Sequence, residues 1–463
     1  MQRSIPLLAA LLLLAVSAVR AQEEDPLAAA RERVRDFESD IQELIDRVSP
    51  AVGAVTNFGV ILDPKTGAVV MRPRGQGSGT VVTRDGFFLT NVHVVLGAGY
   101  ITVALPDGVR YPAVLYADTS EGEVKGDIAL LKLRGRRDFP YVDWKRGDAT
   151  KLKPGSFVFA MGNPRGLAFD GTPVVTMGII SGKSRAASGA QFLYVDSLQS
   201  DVEINPGNSG GPLFDSHGNF VGINGLMRSR SGRSYSGVGF SIPVNQVRLF
   251  MGRLLRDEGG GVGYGYHGLQ IQSAEDGKGA VVRRIAPASP AEVAGMRRGD
   301  IVTKVNGKRV ANQSDFQNVV TKLPEGAPIR LGFLRGRKKE SIAFRLGSYR
   351  EWLEEVGAKK TDQPLPMNER GYLGVHWKED RGGLRITRVL PGTGAEKGRL
   401  REEDLLRKLD GASIPNAKVL VEILARKSFE DRVEIEYDRG GQKRKVRIDL
   451  CDAATAAGLG EEG

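Results

Sequence analysis

Only one of the 463 residues is cysteine, Cys451. No internal disulfide can form, and a thiolate enzyme is not expected from a lone cysteine so near the C-terminal end. The four histidines, His93, His217, His267 and His376, are scattered along the chain with no H-E-x-x-H and no paired ligand spacing. No metal centre is expected on that basis. No G-x-x-x-x-G-K-[ST] loop occurs, so nothing in the sequence points to nucleotide hydrolysis. No cofactor is implied. Beyond residue 21 no apolar run is long enough to cross a bilayer.

What is present suggests a secreted, multidomain, mainly β protein. Sixty glycines imply many turns, and the length asks for about three domains. Residues 1–21 read as a signal peptide. Arg3 precedes an apolar run from Ile5 to Val19, and Val19-Arg20-Ala21 offers a cleavage site, so no stable membrane anchor is expected. The formal charge of +11 could favour nucleic acid, but basic and acidic residues alternate and no nucleic-acid motif appears. The expectation is a solvated basic surface with no nucleic-acid partner.

Residues 22–48 read as one amphipathic helix. Leu27, Ala30, Val34, Phe37, Ile41, Leu44 and Val48 recur at spacings of three and four, and Pro50 ends the pattern. This seam suits either self-association or packing on the chain's own body. Residues 49–257 alternate short apolar runs with Gly, Pro and Asp clusters, the spacing of a barrel or sandwich. Asp215-Ser-His-Gly-Asn219 places His217 at a hairpin tip, and Gly259-Gly-Gly-Val-Gly263 reads as a hinge.

The remainder repeats itself at an offset of about 105 residues. Tyr266-His-Gly-Leu269 matches Tyr372-Leu-Gly-Val375, Asp300-Ile-Val302 matches Asp404-Leu-Leu406, and Val305-Asn-Gly307 matches Leu409-Asp-Gly411. Two tandem units follow, 258–347 and 371–450, with a linker at 348–370 and a tail at 451–463. Helical stretches are expected near 314–323 and 417–427.

Three segments carry the chemistry: Thr90-Asn-Val-His93, Gly126-Asp127-Ile-Ala-Leu-Leu and Asn205-Pro-Gly-Asn-Ser209-Gly-Gly-Pro212. A serine hydroxyl must lose its proton during attack. An imidazole can take that proton, and a buried carboxylate fixes the imidazole's tautomer. Glycines beside the serine let backbone N–H groups converge on a developing oxyanion. Gly207-Asn-Ser-Gly-Gly211 also fits the nucleophile elbow of an α/β-hydrolase. That fold needs a helix after the serine and the order Ser, Asp, His, neither of which is found here.

These segments, with Gly162-Asn-Pro, resemble the HtrA (Deg) family of chymotrypsin-fold proteases. The repeats resemble PDZ domains, so the subgroup resembled is the two-PDZ, DegP/DegQ-like one. The resemblance covers roughly residues 49–450. It implies a double β-barrel protease domain followed by two α+β PDZ domains, each a small barrel with helices. Its catalytic residues would be His93, Asp127 and Ser209, with Gly207, Asn208 and Ser209 at the oxyanion site.

Ile204, Leu226 and Met227 would line the substrate pocket. The lack of an acid in Leu226-Met-Arg-Ser-Arg230 argues against preference for Lys or Arg. Loops near 181–194, 204–210 and 225–237 would pass between disorder and order. Tyr266, His267, Gly268 and Leu269 would take a peptide carboxylate by strand addition.

Two departures stand out. Arg165 replaces a usual aromatic or apolar residue, and Glu403 stands where the first repeat has Gly299. The segment before His93 is also too short for a long regulatory loop. The implied function is an ATP-independent, periplasmic endopeptidase acting on unfolded or misfolded proteins, assembled as a trimer or a multiple of trimers. A non-proteolytic holding chaperone on the same scaffold is the alternative.

Overall fold

The glycine-punctuated apolar runs close into two barrels. The computed structural model describes residues 27–120, 125–163, 172–188, 192–205, 207–227, 237–256, 261–275, 277–355 and 370–457. The expected signal peptide lies outside the described residues. Helix α1, Ala28–Val48, belongs to a separate compact unit, Met1–Val48; of the expected seam Leu27, Val34 and Phe37 are exposed, and Leu44 and Val48 are buried.

The first barrel comprises Val52–Leu62 (β1), Val69–Val81 (β2), Phe87–Thr90 (β3), Tyr100–Ala104 (β4), Arg110–Asp118 (β5) and Ala129–Leu133 (β6). Its strand order is β1-β2-β3-β6-β5-β4. Phe88, Leu89, Leu130 and Leu131, on the paired strands β3 and β6, are fully buried on the two faces of the barrel wall, each contributing about 1.5–3 kcal/mol of apolar burial.

The second barrel comprises Phe157–Gly162 (β7), Val174–Ser188 (β8), Leu193–Ser200 (β9), Pro212–Asp215 (β10), Phe220–Met227 (β11) and Gly239–Pro243 (β12). It closes in the order β10-β11-β12-β9-β8-β7. His217 sits in the β10–β11 turn, as its flanks foretold. His93, whose apolar neighbours suggest a strand, instead lies in the single-turn helix α2, Val92–Val95, because the chain must leave the barrel after Thr90.

Helix α3, Val244–Leu254, leads into the two repeats. The first has Leu269–Ser273 (β13), Ala280–Ile285 (β14), Ile301–Val305 (β15), Lys308–Arg309 (β16), Pro328–Arg335 (β17) and Lys338–Arg345 (β18), with helices Pro290–Val293 (α4) and Gln313–Val320 (α5). The expected linker opens with a further helix, Tyr349–Glu355 (α6), whose Trp352 ring packs at a tilt against Tyr266, centroids 4.8 Å apart, and donates from Nε1 to Pro287 O at 2.8 Å.

The second repeat has Val375–Asp380 (β19), Gly383–Val389 (β20), Leu405–Leu409 (β21), Ala412–Ser413 (β22), Arg432–Arg439 (β23) and Gln442–Asp449 (β24). Its helices are Gly394–Lys397 (α7) and Ala417–Leu424 (α8). A last turn of helix, Ala453–Ala456 (α9), lies in the expected tail and is capped by Asp452. Strand orders β13-β14-β15-β17-β18 and β19-β20-β21-β23-β24 leave β13 and β19 at sheet edges.

The repeat extends to polar detail. Buried Asp300 takes a two-pronged bond from Arg335 at 2.8 and 2.9 Å, and Asp404 takes the same from Arg439 at 2.6 and 2.7 Å. Asn312 and Asn416 cap α5 and α8. The turn that Glu403 called into question is kept. Gly299 has φ +89° and Glu403 has φ +69°, so the side chain is forced into the left-handed region. Replacing Glu403 with glycine is therefore expected to raise stability by about 1 kcal/mol through loss of that strain. A urea titration of the full chain would show a higher midpoint at unchanged slope, and a lower midpoint would contradict the strain.

Candidate active site

Ser78 on β2 joins the barrels. Its N–H donates to Ser209 O at 2.8 Å, its hydroxyl donates to Gly207 O at 2.5 Å, and Asn163 N–H donates to that hydroxyl at 2.8 Å. Its own carbonyl accepts from the Thr90 hydroxyl at 2.7 Å. The segment carrying Ser209 is thereby tied to the strand that leads to His93.

Asp127 precedes β6 and is 2% exposed. Such a carboxylate must be fully bonded or its burial would be very costly. His93 Nδ1 lies 2.7 Å from Oδ2, and His93 N–H donates to Oδ1 at 2.9 Å. The Asn91 side chain donates to the Asp127 carbonyl at 2.7 Å. With Nδ1 protonated toward the carboxylate, Nε2 is left as the proton acceptor.

A further donor was not anticipated from the sequence. The hydroxyl of buried Tyr194, on β9, donates to Asp127 Oδ2. Burial first, and then the Asp127 charge, push the phenol well above its ordinary pKa, so it stays a donor. Gly225 on β11 makes this possible. A Cβ there would sit 2.3 Å from the Tyr194 oxygen. An Asn-Gly step inside an apolar strand was the only signal of this close approach.

The Ser209 hydroxyl donates to Gly225 O at 3.1 Å rather than to the imidazole. Gly207 has φ +106°. Among the expected oxyanion donors, the Asn208 N–H is already taken by Asn205 O at 2.9 Å, which removes it from that set in this state. Among the described residues, Gly207 and Ser209 N–H have no acceptor. Ile204, expected in the pocket wall, is buried against Gly239. Leu226 and Met227 pair through their backbones with Phe240 and Gly239. Their side chains, Arg165, residues 189–191 and residues 228–236 lie outside the described residues.

The expected carboxylate loop of the first repeat is formed by Tyr266, His267, Gly268 and Leu269. Gly268 has φ +78°. The His267 ring packs edge-on to Phe316 at 5.4 Å, and its Nδ1 accepts from Leu269 N–H at 2.9 Å. One of the loop's amides is thus held by the loop's own side chain. Accepting at Nδ1 requires a neutral ring, and burial pushes the His267 pKa down to about 4. Cys451, the lone thiol, donates to Tyr372 O at 3.3 Å, and burial raises its pKa to about 12, which suits an inert packing role.

The trypsin-like peptidase domain family matches residues 77–223, and the PDZ domain family matches residues 265–346 and 371–450. A Marinomonas sp. (strain MWYL1) protein named probable periplasmic serine endoprotease DegP-like is 35% identical, over 77% of this chain and 76% of its own length. A protein of the same name from Pseudomonas putida (strain GB-1) is 30% identical, over 92% of this chain and 95% of its own. Among solved structures, the HtrA-type protease AlgW with tripeptide is 28% identical at TM-score 0.54, covering 66% of this chain and 96% of that one. AlgW with decapeptide gives 28% and 0.53, covering 66% and 98%.

The His267 contact has a consequence in pH. Its folded pKa, about 4, lies below the ordinary 6.5, so the unfolded chain takes the proton first as pH falls. Stability should be unaffected above pH 6.5 and decline between about 6.5 and 4, by roughly 1–3 kcal/mol. Thermal melts across this range should fall more steeply for the parent than for His267→Leu. Parallel curves would disprove the contribution.

Proposed function

Because the chain belongs to the DegP-like, HtrA-type family of serine endoproteases, we propose that it cleaves unfolded or misfolded proteins in the periplasm through His93, Asp127 and Ser209. The observation that carries this reading is the buried Asp127 bonded to both nitrogen donors of His93, with Ser209 held across the seam by Ser78. The Ser209 hydroxyl turns from Gly225 O to His93 Nε2, which accepts its proton as Oγ attacks the peptide carbonyl. Gly207 and Ser209 N–H then face the oxyanion, and His93 returns the proton to the leaving amine. Tyr194 touches neither substrate nor nucleophile. It acts through Asp127 as a positioning residue.

Buried Ile204 supports a preference for apolar residues before the cleaved bond. The first PDZ domain presents edge strand β13 to peptide C-termini, and a carboxylate would compete with His267 for Leu269 N–H. The bound peptides in the AlgW structures agree with such a role. The holding-chaperone alternative draws on the Ser209–Gly225 bond, which describes a nucleophile not yet engaged with its base.

A fluorophosphonate label separates the two. Labelling should occur on the parent and vanish in Ser209→Ala, whereas a parent that never reacts, even with unfolded protein present, would favour holding. Asp127→Asn should lower kcat by roughly 10⁴, and a loss below about tenfold would contradict its role. Tyr194→Phe removes one hydrogen bond to a charged group, worth about 1.5–3 kcal/mol at most. The expected result is about a tenfold loss of kcat with KM little changed. A carboxylate with one donor fewer also holds a protonated imidazole more tightly. The acid limb of the kcat/KM profile should therefore move to higher pH, and an unmoved limb would reduce Tyr194 to packing.

A further inference from the structure

We propose that the tip of the β1–β2 hairpin, residues 63–68, is the resident ligand of the second PDZ groove and closes it to peptide C-termini of other proteins. The inference rests on the family assignment of the second repeat and not on the catalytic triad.

Strand β19 is a sheet edge, and an added peptide strand would bond to its outward N–H groups. One of those groups is already used. Trp377 N–H donates to Thr66 O at 2.5 Å, and the indole of the same residue donates from Nε1 to Pro64 O at 3.1 Å. Both acceptors are backbone carbonyls of the hairpin tip. Leu62 and Val69, at the tip's base, line with Leu373, Val375 and Leu424 a residual cavity of only about 10 Å³. The space beside the Tyr372-Leu-Gly-Val375 loop is therefore filled by this chain. Below it, Val60 of β1 shares a buried cluster with Tyr372, Ala453 and Ala456, which anchors the hairpin against the repeat.

The tip is also built in advance for this fit. The Asp63 carboxylate accepts from Lys65 N–H and the Thr66 hydroxyl, both at 2.8 Å. Asp63 N–H donates to Ala68 O at 2.8 Å, and Gly67 N–H to Asp63 O at 2.7 Å. Little ordering is left to be done on docking. Gly67 has φ +72°, and a Cβ there would come within 2.4 Å of the Trp377 ring, so both the turn and the close approach call for glycine. Being tethered, the tip outcompetes dilute peptides by effective concentration.

Two variants of the full chain test this. In the first, residues 63–68 become Asn-Gly, a two-residue turn that fits the Leu62–Val69 pair. In the second, Gly67→Asn keeps the left-handed turn but overlaps Trp377. Hydrogen exchange over 372–380 should quicken by about tenfold or more in both, with 266–273 unchanged. A fluorescein-labelled Lys-Thr-Gly-Ala-Val peptide, residues 65–68 of the tip followed by Val69 with a free carboxylate, should bind the shortened protein with one more equivalent than the parent. Exchange over 372–380 as fast in the parent as in the shortened protein, or equal stoichiometry, would overturn the proposal. Neither readout involves proteolysis, so an error in the triad would not disturb them.

Discussion

The site depends on Ser78. It is fully buried, and both its backbone groups and its hydroxyl are bonded, three of those links reaching the second barrel. His93 and Asp127 come from the first barrel and Ser209 from the second, so the distance between the imidazole and the hydroxyl is set by how the barrels meet. Apolar packing presses the barrels together without fixing register, because it is non-directional. Hydrogen bonds through one small side chain supply the direction. Loss of the Ser78 hydroxyl would remove the partner of the Gly207 carbonyl beside Ser209, and a buried polar group left that way costs more than the bond is worth when made.

The carboxylate beside this seam shows how a buried charge is kept. Asp127 meets donors from α2 and β9, elements from different barrels. Each donor both compensates the charge and holds the ring of His93 in one orientation. Tyr194 can take part only because Gly225 has no side chain. A strand position that looks weak by propensity is thus the opening through which the charge is satisfied.

What could be read from the sequence follows from this division. The approach of His93 to Asp127 was legible because each sits in a distinctive local run, and the two repeats because their turns recur in order. The Glu403 turn was legible as a conflict and is a real one, resolved by a strained φ. The helical turn at His93 was not legible, because apolar flanks look alike in a strand and in a helical turn at a barrel exit. Tyr194, Ser78 and the hairpin tip were invisible because their partners lie 67, 129 and 313 residues away. Local pattern says that a side chain is buried, not what it meets.

The two PDZ domains carry the same distinction to function. Their scaffolds agree in the Asp–Arg clamps, in the asparagine caps, and in the left-handed Asn306 and Asp410 that bond Arg330 and Glu434 across β17 and β23. Their grooves differ. His267 stands where the second copy has Leu373, and Ile271 where it has Trp377. A duplicated scaffold needs only one set of stabilising contacts, so those positions are held by physics in both copies. Groove positions are free to diverge, and here each has acquired a side chain that engages backbone: His267 an amide of its own loop, Trp377 two carbonyls of the protease barrel. On the proposed reading, a carboxylate entering the first groove has only a neutral imidazole to displace, whereas one entering the second would have to displace a tethered hairpin held by two hydrogen bonds.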